Sequence, residues 1–302
     1  MPMETSSAPP ITQELAVTLL PKRPADSHKG SFGKALVFAG SKQFPGAANL
    51  AIQAALRSGA GLVYAAIPEC IYLPLVASIP EAIWYVLPAE TESIDLDKKL
   101  RLFLADILID KDALLIGPGL GQEEVTKTLL FALLRCIRDQ FSDLPLVIDA
   151  DGLNILSQQP NWHRLLPTRC ILTPHEMEFS RLTGLPVKEI HSNRENLVNY
   201  YAQEWKQTLI LKGANTLVAS PEGDNRLLPF ANSVLAHGGS GDVLAGLLVG
   251  LLSQRLQPFD AATLAVWLHA RAAELALETV GHPAAVLPSD IIQNIGTAMG
   301  SL

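Results

Sequence analysis

The sequence predicts an α/β protein built on a doubly wound, mainly parallel sheet flanked by helices. Three observations predict it. Short apolar runs alternate along the chain with longer segments of helical spacing. Two of the helical segments close on a glycine, Gly59 and Gly184. The residues capable of chemistry stand at the ends of the strand-like runs, where an open parallel sheet binds its ligands.

Each element follows in order. KALVFAG (34–40) reads as a strand ending in Gly, GAANLAIQAALRSG (46–59) as a helix, and GLVYAAIP (61–68) as a second strand. DALLIGPGLG (112–121) is a buried strand that breaks into glycines. EEVTKTLLFALLRCIRD (123–139) is a helix with an acidic first turn and a basic last turn, as the helix dipole favours. LPLVIDADGLNIL (144–156) is a strand running into two aspartates, and CILTPHEMEFSRLTG (170–184) is strand, Pro break and helix. TLILKGANTLVASPEG (208–223) is a hairpin turning near Asn215, or a strand followed by an edge strand. VLAGLLVGLLSQ (243–254) and the stretch 261–281 are late helices. Residues 1–20, polar with a Pro pair, are expected as a flexible lead-in or linker remnant, and 21–302 as a single domain.

Composition narrows the function classes. The chain has 302 residues, 48% hydrophobic, enough for one large core. Its net charge of −7 argues against nucleic-acid or anionic-membrane surfaces. Three cysteines without metal or redox spacing point to a reducing compartment. No signal peptide pattern opens the chain, and the longest apolar stretch, 243–252, is about half of the ~20 residues a membrane span needs. A cytoplasmic protein is expected.

The most informative stretch is HGGSGDVLAG (237–246). Gly238, Gly239, Ser240 and Gly241 can turn backbone N–H groups toward one point at a helix N-terminus, forming an anion site. Asp242 would be repelled by a resting phosphate. It makes sense as a base for a hydroxyl that attacks that phosphate. The plain alternative is a helix cap on a glycine turn. At the end of the 209–211 run, Lys212, Gly213, Ala214, Asn215 and Thr216 offer a phosphate or nucleotide contact, or only a solvated turn. GPGLG lacks the dinucleotide-fold spacing, and no P-loop motif is present. Asp149, Glu176 and Glu178 could hold Mg2+ through water. The alternative for TPHE is a cap at Thr173 with Glu176 three residues on, which leaves His175 unexplained.

Taken together, HKGSFGKALVFAGS, PGAANLAIQAALRSGAGLV, IGPGLG, VIDADGLNIL, LTPHEMEFSRLTG, LKGANT and GGSGDVLAG resemble the ADP- or ATP-dependent NAD(P)H-hydrate dehydratases, which are ribokinase-like. The resemblance spans about residues 20–300. It implies phosphorylation of the C6 hydroxyl of the S epimer of NADHX or NADPHX by ADP or ATP, with Mg2+, and loss of phosphate to restore NADH or NADPH. It implies Asp242 as base, Lys212–Thr216 with Gly241 as the nucleotide segment, and Gly119, His175, Asp242 and Ala47 or Ala48 as contacts to the hydrate. It further implies a homotetramer and an NAD(P)HX epimerase as functional partner. The chain departs from the family at Met177, at Ser240 and at NSVLAH (232–237). Two rivals share the glycine loop: a ribokinase-like kinase for a vitamin precursor, and a nucleotide-binding regulator without turnover. HKG and TPHE, taken as the substrate side, argue against the first, and Asp242 argues against the second.

Overall fold

The computed structural model describes residues 8–87 and 96–302. Nine strands form one sheet: β1 (Lys34–Phe38), β2 (Leu62–Ile67), β3 (Ile83–Val86), β4 (Ala113–Ile116), β5 (Leu146–Ile148), β6 (Cys170–Leu172), β7 (Thr208–Leu211), β8 (Thr216–Ala219) and β9 (Asn225–Leu228). Their order is β3-β2-β1-β4-β5-β6-β7-β8-β9. Pairing is parallel from β3 through β7, and β8 and β9 add an antiparallel hairpin edge. The hairpin reading of 208–223 is the one observed, with Asn215 in the left-handed region at φ 61°. The chain winds outward from β1 to β3, then returns to the other side of β1 for β4. That reversal makes a crevice at the carboxyl ends of β1 and β4.

Both faces of the sheet are covered. Along β1, Ala35 and Val37 enter one buried layer and Leu36 and Phe38 the other, as strand alternation requires. The first layer is closed by the helices Pro45–Arg57, Ser240–Ser253 and Pro258–Val280. The second is closed by Glu124–Gln140, Glu176–Thr183 and Arg194–Trp205.

The Ser240–Ser253 helix lies almost against the backbone of Pro45–Arg57. A Cβ at Gly246 would stand 2.1 Å from the Ala51 carbonyl oxygen, and one at Gly250 would stand 1.8 Å from Ser58 Oγ. From Val243 to Ser253 every residue of this helix is buried. The apolar face of this helix is therefore consumed by this chain's own core.

The lead-in differs from expectation. Residues 1–7 lie outside the described residues, but Gln13–Leu19 is a helix with Ala16 fully buried. Ile11 N–H donates to Leu227 (2.7 Å) and Leu227 N–H to Pro9 (2.9 Å), so this segment is docked along β9. A polar, proline-bearing sequence concealed a few well-placed apolar residues. No helix among the described residues is long and apolar enough to cross a membrane.

Candidate active site

Five strand ends deliver their motifs to one edge of the sheet, as the sequence predicts. GPGLG follows β4, DADGLN follows β5, TPHEMEF follows β6 and KGANT follows β7, while the loop after β1 leads into Pro45–Arg57. HKG is the exception. It lies before β1 in a short turn, Lys29–Phe32, capped by His28 Nδ1 accepting from Gly30 N–H (3.1 Å). That is the opposite end of the strand, so HKG is a structural signature and not part of the substrate side.

At the β5 and β7 ends, Lys212 is almost enclosed. Its Nζ is 2.7 Å from Asp149 Oδ1 and 3.7 Å from Glu178 Oε2. Thr173 Oγ1 donates to the same Asp149 oxygen (2.7 Å). Burial alone would pull the ammonium's pKa down, but Asp149 and Glu178 outweigh it and hold it above its ordinary value. Between Asp149 and Asp151, Ala150 takes a positive φ of 48°. The two flanking carboxylates part company there: Asp149 meets Lys212, and Asp151 accepts from Gly121 N–H (2.9 Å).

The helix after β6 is capped differently from expectation. Thr173 is not the cap. His175 Nδ1 accepts from Met177 and Glu178 N–H (3.1 and 3.2 Å), and Glu178 Oε2 accepts from His175 N–H (2.9 Å). This reciprocal box explains His175 in one of its roles and buries Glu178. Desolvation, assisted by Lys212, holds the imidazole's pKa below its usual value despite Glu178. Its Nε2 lies 3.4 Å from Glu178 Oε1.

Asp242 stands in the first turn of Ser240–Ser253, and Gly239, at φ 99°, takes the cap position instead. The cap reading of Asp242 therefore fails. Burial first, then the charge of Asp149, pushes the Asp242 carboxyl up to about 7, against the pull of Lys212. A Cβ at Gly241 would sit 3.4 Å from Lys212 Nζ, so the glycine loop and the buried ammonium face each other directly. The loop NSVLAH, without the family's Pro and Gly, forms a short turn at Ser233–Leu235, with Asn232 accepting from Val234 N–H (3.0 Å) and Val234 buried.

Beside this loop is a cavity of about 410 Å³ lined by Lys212, Gly213, Asn232, Ser240, Gly241 and His269 among others. A larger cavity, about 550 Å³, opens at the opposite end of the strands among Asp110, Lys111 and Arg169, and none of the strand-end motifs line it. At the crevice between β1 and β4, Gly119 (φ 61°) abuts Ala47, and a Cβ there would stand 2.6 Å from Ala47 Cβ. Ala47 is partly buried at this contact. Ala48 is fully buried and packs under Gly40. Of the two registers open from sequence, Ala47 is the one at the crevice.

The carboxylates proposed for Mg2+ are already engaged. Asp149 and Glu178 hold Lys212, and Glu176 Oε1 pairs with Arg194 Nη1 and with His191 Nδ1 (3.2 Å). Among the described residues no group of three or more His, Cys, Asp or Glu could hold a metal ion. These carboxylates do not form a direct ligand set for a resident metal, because a lysine and an arginine already stand beside them.

Sequence reasoning passed over Arg194. Its Nη2 donates to the carbonyls of Leu211 (3.2 Å), Lys212 (3.5 Å) and Asn215 (3.4 Å). It thus shapes the KGANT segment while its other nitrogen holds Glu176 beside His175. Nothing in the local sequence marks it, since the carbonyls it meets are remote in the chain.

The NAD(P)H-hydrate dehydratase family matches residues 35–296. The bifunctional NAD(P)H-hydrate repair enzyme Nnr of Moorella thermoacetica is 38% identical over 265 residues, 88% of this chain and 49% of that protein. The chain thus spans about half the length of such curated relatives. The ADP-dependent (S)-NAD(P)H-hydrate dehydratase of Bacillus subtilis is 36% identical over 87% of this chain and 88% of its own length. A crystal structure of ADP/ATP-dependent NAD(P)H-hydrate dehydratase from Bacillus subtilis, co-crystallized with ATP/Mg2+, superposes with a TM-score of 0.82 at 33% identity, covering 98% and 99% of the two chains.

Proposed function

Because the chain belongs to the NAD(P)H-hydrate dehydratase family, we propose that it is a nucleotide-dependent dehydratase of the S epimer of NADHX or NADPHX, using ADP or ATP. One observation carries the reading. Asp242, a carboxyl that titrates near neutrality, opens a helix whose glycine N-terminus faces the buried Lys212.

The chemistry follows from that placement. Ionised Asp242 takes the proton of the hydrate's C6 hydroxyl, and the oxygen attacks the terminal phosphorus of the nucleotide. The phosphoryl group passes beside the Gly238–Gly241 loop, where the helix start leaves the N–H groups of Gly239 and Gly241 without intrahelical acceptors, while Ser240 N–H donates to the His237 carbonyl (3.2 Å). Phosphate then leaves C6 with the C–O electron pair, a neighbouring ring carbon loses a proton, and the ring double bond returns. A poor leaving group has been exchanged for a better one, so the protein's work is positioning and charge balance. Mg2+ accompanies the nucleotide and neutralises its phosphates when bound.

The sheet-edge arrangement supports the rest of the assignment. Lys212–Thr216 and Gly241 flank the cavity that takes the nucleotide. Ala47 and Gly119 at the crevice, with His175, take the hydrate. A homotetramer is supported by the resemblance and by Leu73, Ile83 and Val86, exposed at or near the β3 edge. The R epimer would need an epimerase partner.

The test is incubation with ADP or ATP, Mg2+ and the S hydrate while the reduced-nicotinamide absorbance is followed. Its return supports a dehydratase. Accumulation of a phosphorylated product would mark a kinase, and no turnover would mark a regulator.

A further inference from the structure

At the back of the cavity beside Lys212, the helices Ser240–Ser253 and Pro258–Val280 meet, and one polar group there lacks a partner. His269 is 6% exposed. Its Nε2 is buried with no hydrogen-bond partner, while the ring lines the cavity. The Ser240 backbone stands close enough to the imidazole to raise its proton affinity. A backbone group with that effect is a carbonyl, so the ring turns an N–H toward it. With Nε2 unpartnered, the donor is Nδ1.

Desolvation, with Lys212 adding to it, pushes the His269 pKa down to about 4, so the ring is neutral. A neutral ring with its proton on Nδ1 offers only a lone pair at Nε2. A buried acceptor without a mate costs free energy, and such groups in native proteins have a reason. The missing mate must be a donor. Phosphate oxygens of an ionised nucleotide are acceptors, which leaves a ribose hydroxyl or an exocyclic amine. Position decides between them. His269 touches Ser240, inside the loop that would hold the phosphates, and ribose is the part of a nucleotide bonded to phosphate.

We propose that His269 is a nucleotide-binding residue whose Nε2 accepts a hydrogen bond from a ribose hydroxyl of the co-substrate. The proposal rests on the nucleotide-dependent reading given above.

Calorimetric titration tests it, with ADP, the two deoxy analogues that each lack one ribose hydroxyl, and the inosine analogue. Wild type, His269→Leu and His269→Gln are compared. His269→Leu should weaken ADP about three- to tenfold, the effect of one neutral hydrogen bond. His269→Gln, which keeps an acceptor, should recover most of that loss. Against one of the deoxy analogues wild type and His269→Leu should bind alike. Equal weakening for ADP and both deoxy analogues overturns the proposal, as does a difference that disappears only with the inosine analogue. Nitrogen NMR of the wild type decides if the leucine variant does not fold. The His269 Nε2 resonance should move with ADP and not with inorganic phosphate, and a resonance unmoved at ADP saturation overturns the proposal. A wild-type protein that binds no adenine nucleotide overturns the nucleotide reading itself, and is seen before any variant is compared.

Discussion

Lys212 Nζ lies 2.7 Å from Asp149 Oδ1, and this buried pair sets the charge balance of the whole sheet edge. The single ammonium serves Asp149 and Glu178 directly and acts on Asp242 at longer range. Removing it leaves buried carboxylates uncompensated. Lys212→Met should therefore destabilise the fold by about 3–5 kcal/mol, and adding Asp149→Asn should recover part of that loss. Urea unfolding of the single and double variants checks this. A Lys212→Met protein as stable as wild type, with only nucleotide affinity reduced, would mean that the ammonium serves the nucleotide and not the carboxylates.

Asp242 gives two pH signatures. As a base it must be ionised, so kcat/KM should rise with pH through about 7. Its folded pKa is raised above the unfolded value, so its contribution to stability is present at low pH and lost as pH climbs through about 7. Asp242→Asn removes that loss. The variant should lose about 10²–10⁴ in rate. Its melting temperature relative to wild type should be higher in mildly alkaline than in mildly acidic buffer. An activity profile flat across neutrality would remove Asp242 from the role of base.

Arg194 acts through the segment it holds. Arg194→Lys keeps a charge for Glu176 but loses the planar fork that reaches Leu211, Lys212 and Asn215. The nucleotide KM should rise about tenfold, on the order of one lost charge-assisted hydrogen bond, with kcat changed much less. A fall in kcat alone would show that the segment's shape does not depend on this contact.

Much of this was legible in the sequence because the signals were local. Strand ends carrying Gly, Asp or His declared the sheet edge, and Asn215 announced the hairpin. What escaped was set by contacts remote in the chain. Arg194, on a helix, meets carbonyls at the end of β7 and in the turn after it, and His269 looks like one histidine in an apolar helix until the loop around Ser240 is packed against it. HKG misled because a motif at the wrong end of β1 reads the same as one at the right end. The ion pairs of Asp149, Glu176 and Glu178 were hidden for a similar reason. Acidic residues show in a sequence, but the lysine and arginine that neutralise them are brought from elsewhere by the fold.

The glycines of the Ser240–Ser253 helix give a packing test. A Cβ at Gly246 would meet backbone and not a yielding side chain. Gly246→Ala should destabilise by about 1–3 kcal/mol or more and lower activity, because it displaces the helix that carries Asp242. Gly296→Ala, in the helix Pro288–Gly300 with open space around it, should instead be neutral or stabilising by about 0.4–1 kcal/mol. Thermal melts of both variants decide whether helix spacing or glycine content matters.

In the proposed reaction the hydrate's hydroxyl is deprotonated by Asp242 and leaves as phosphate. The most direct measurement supplies the S hydrate with a heavy-oxygen label in that hydroxyl, together with ADP or ATP and Mg2+, and follows where the label goes. It should appear in inorganic phosphate, in step with restored reduced nicotinamide, and both signals should fall together in Asp242→Asn. Label released into water, or turnover undiminished in Asp242→Asn, would contradict it.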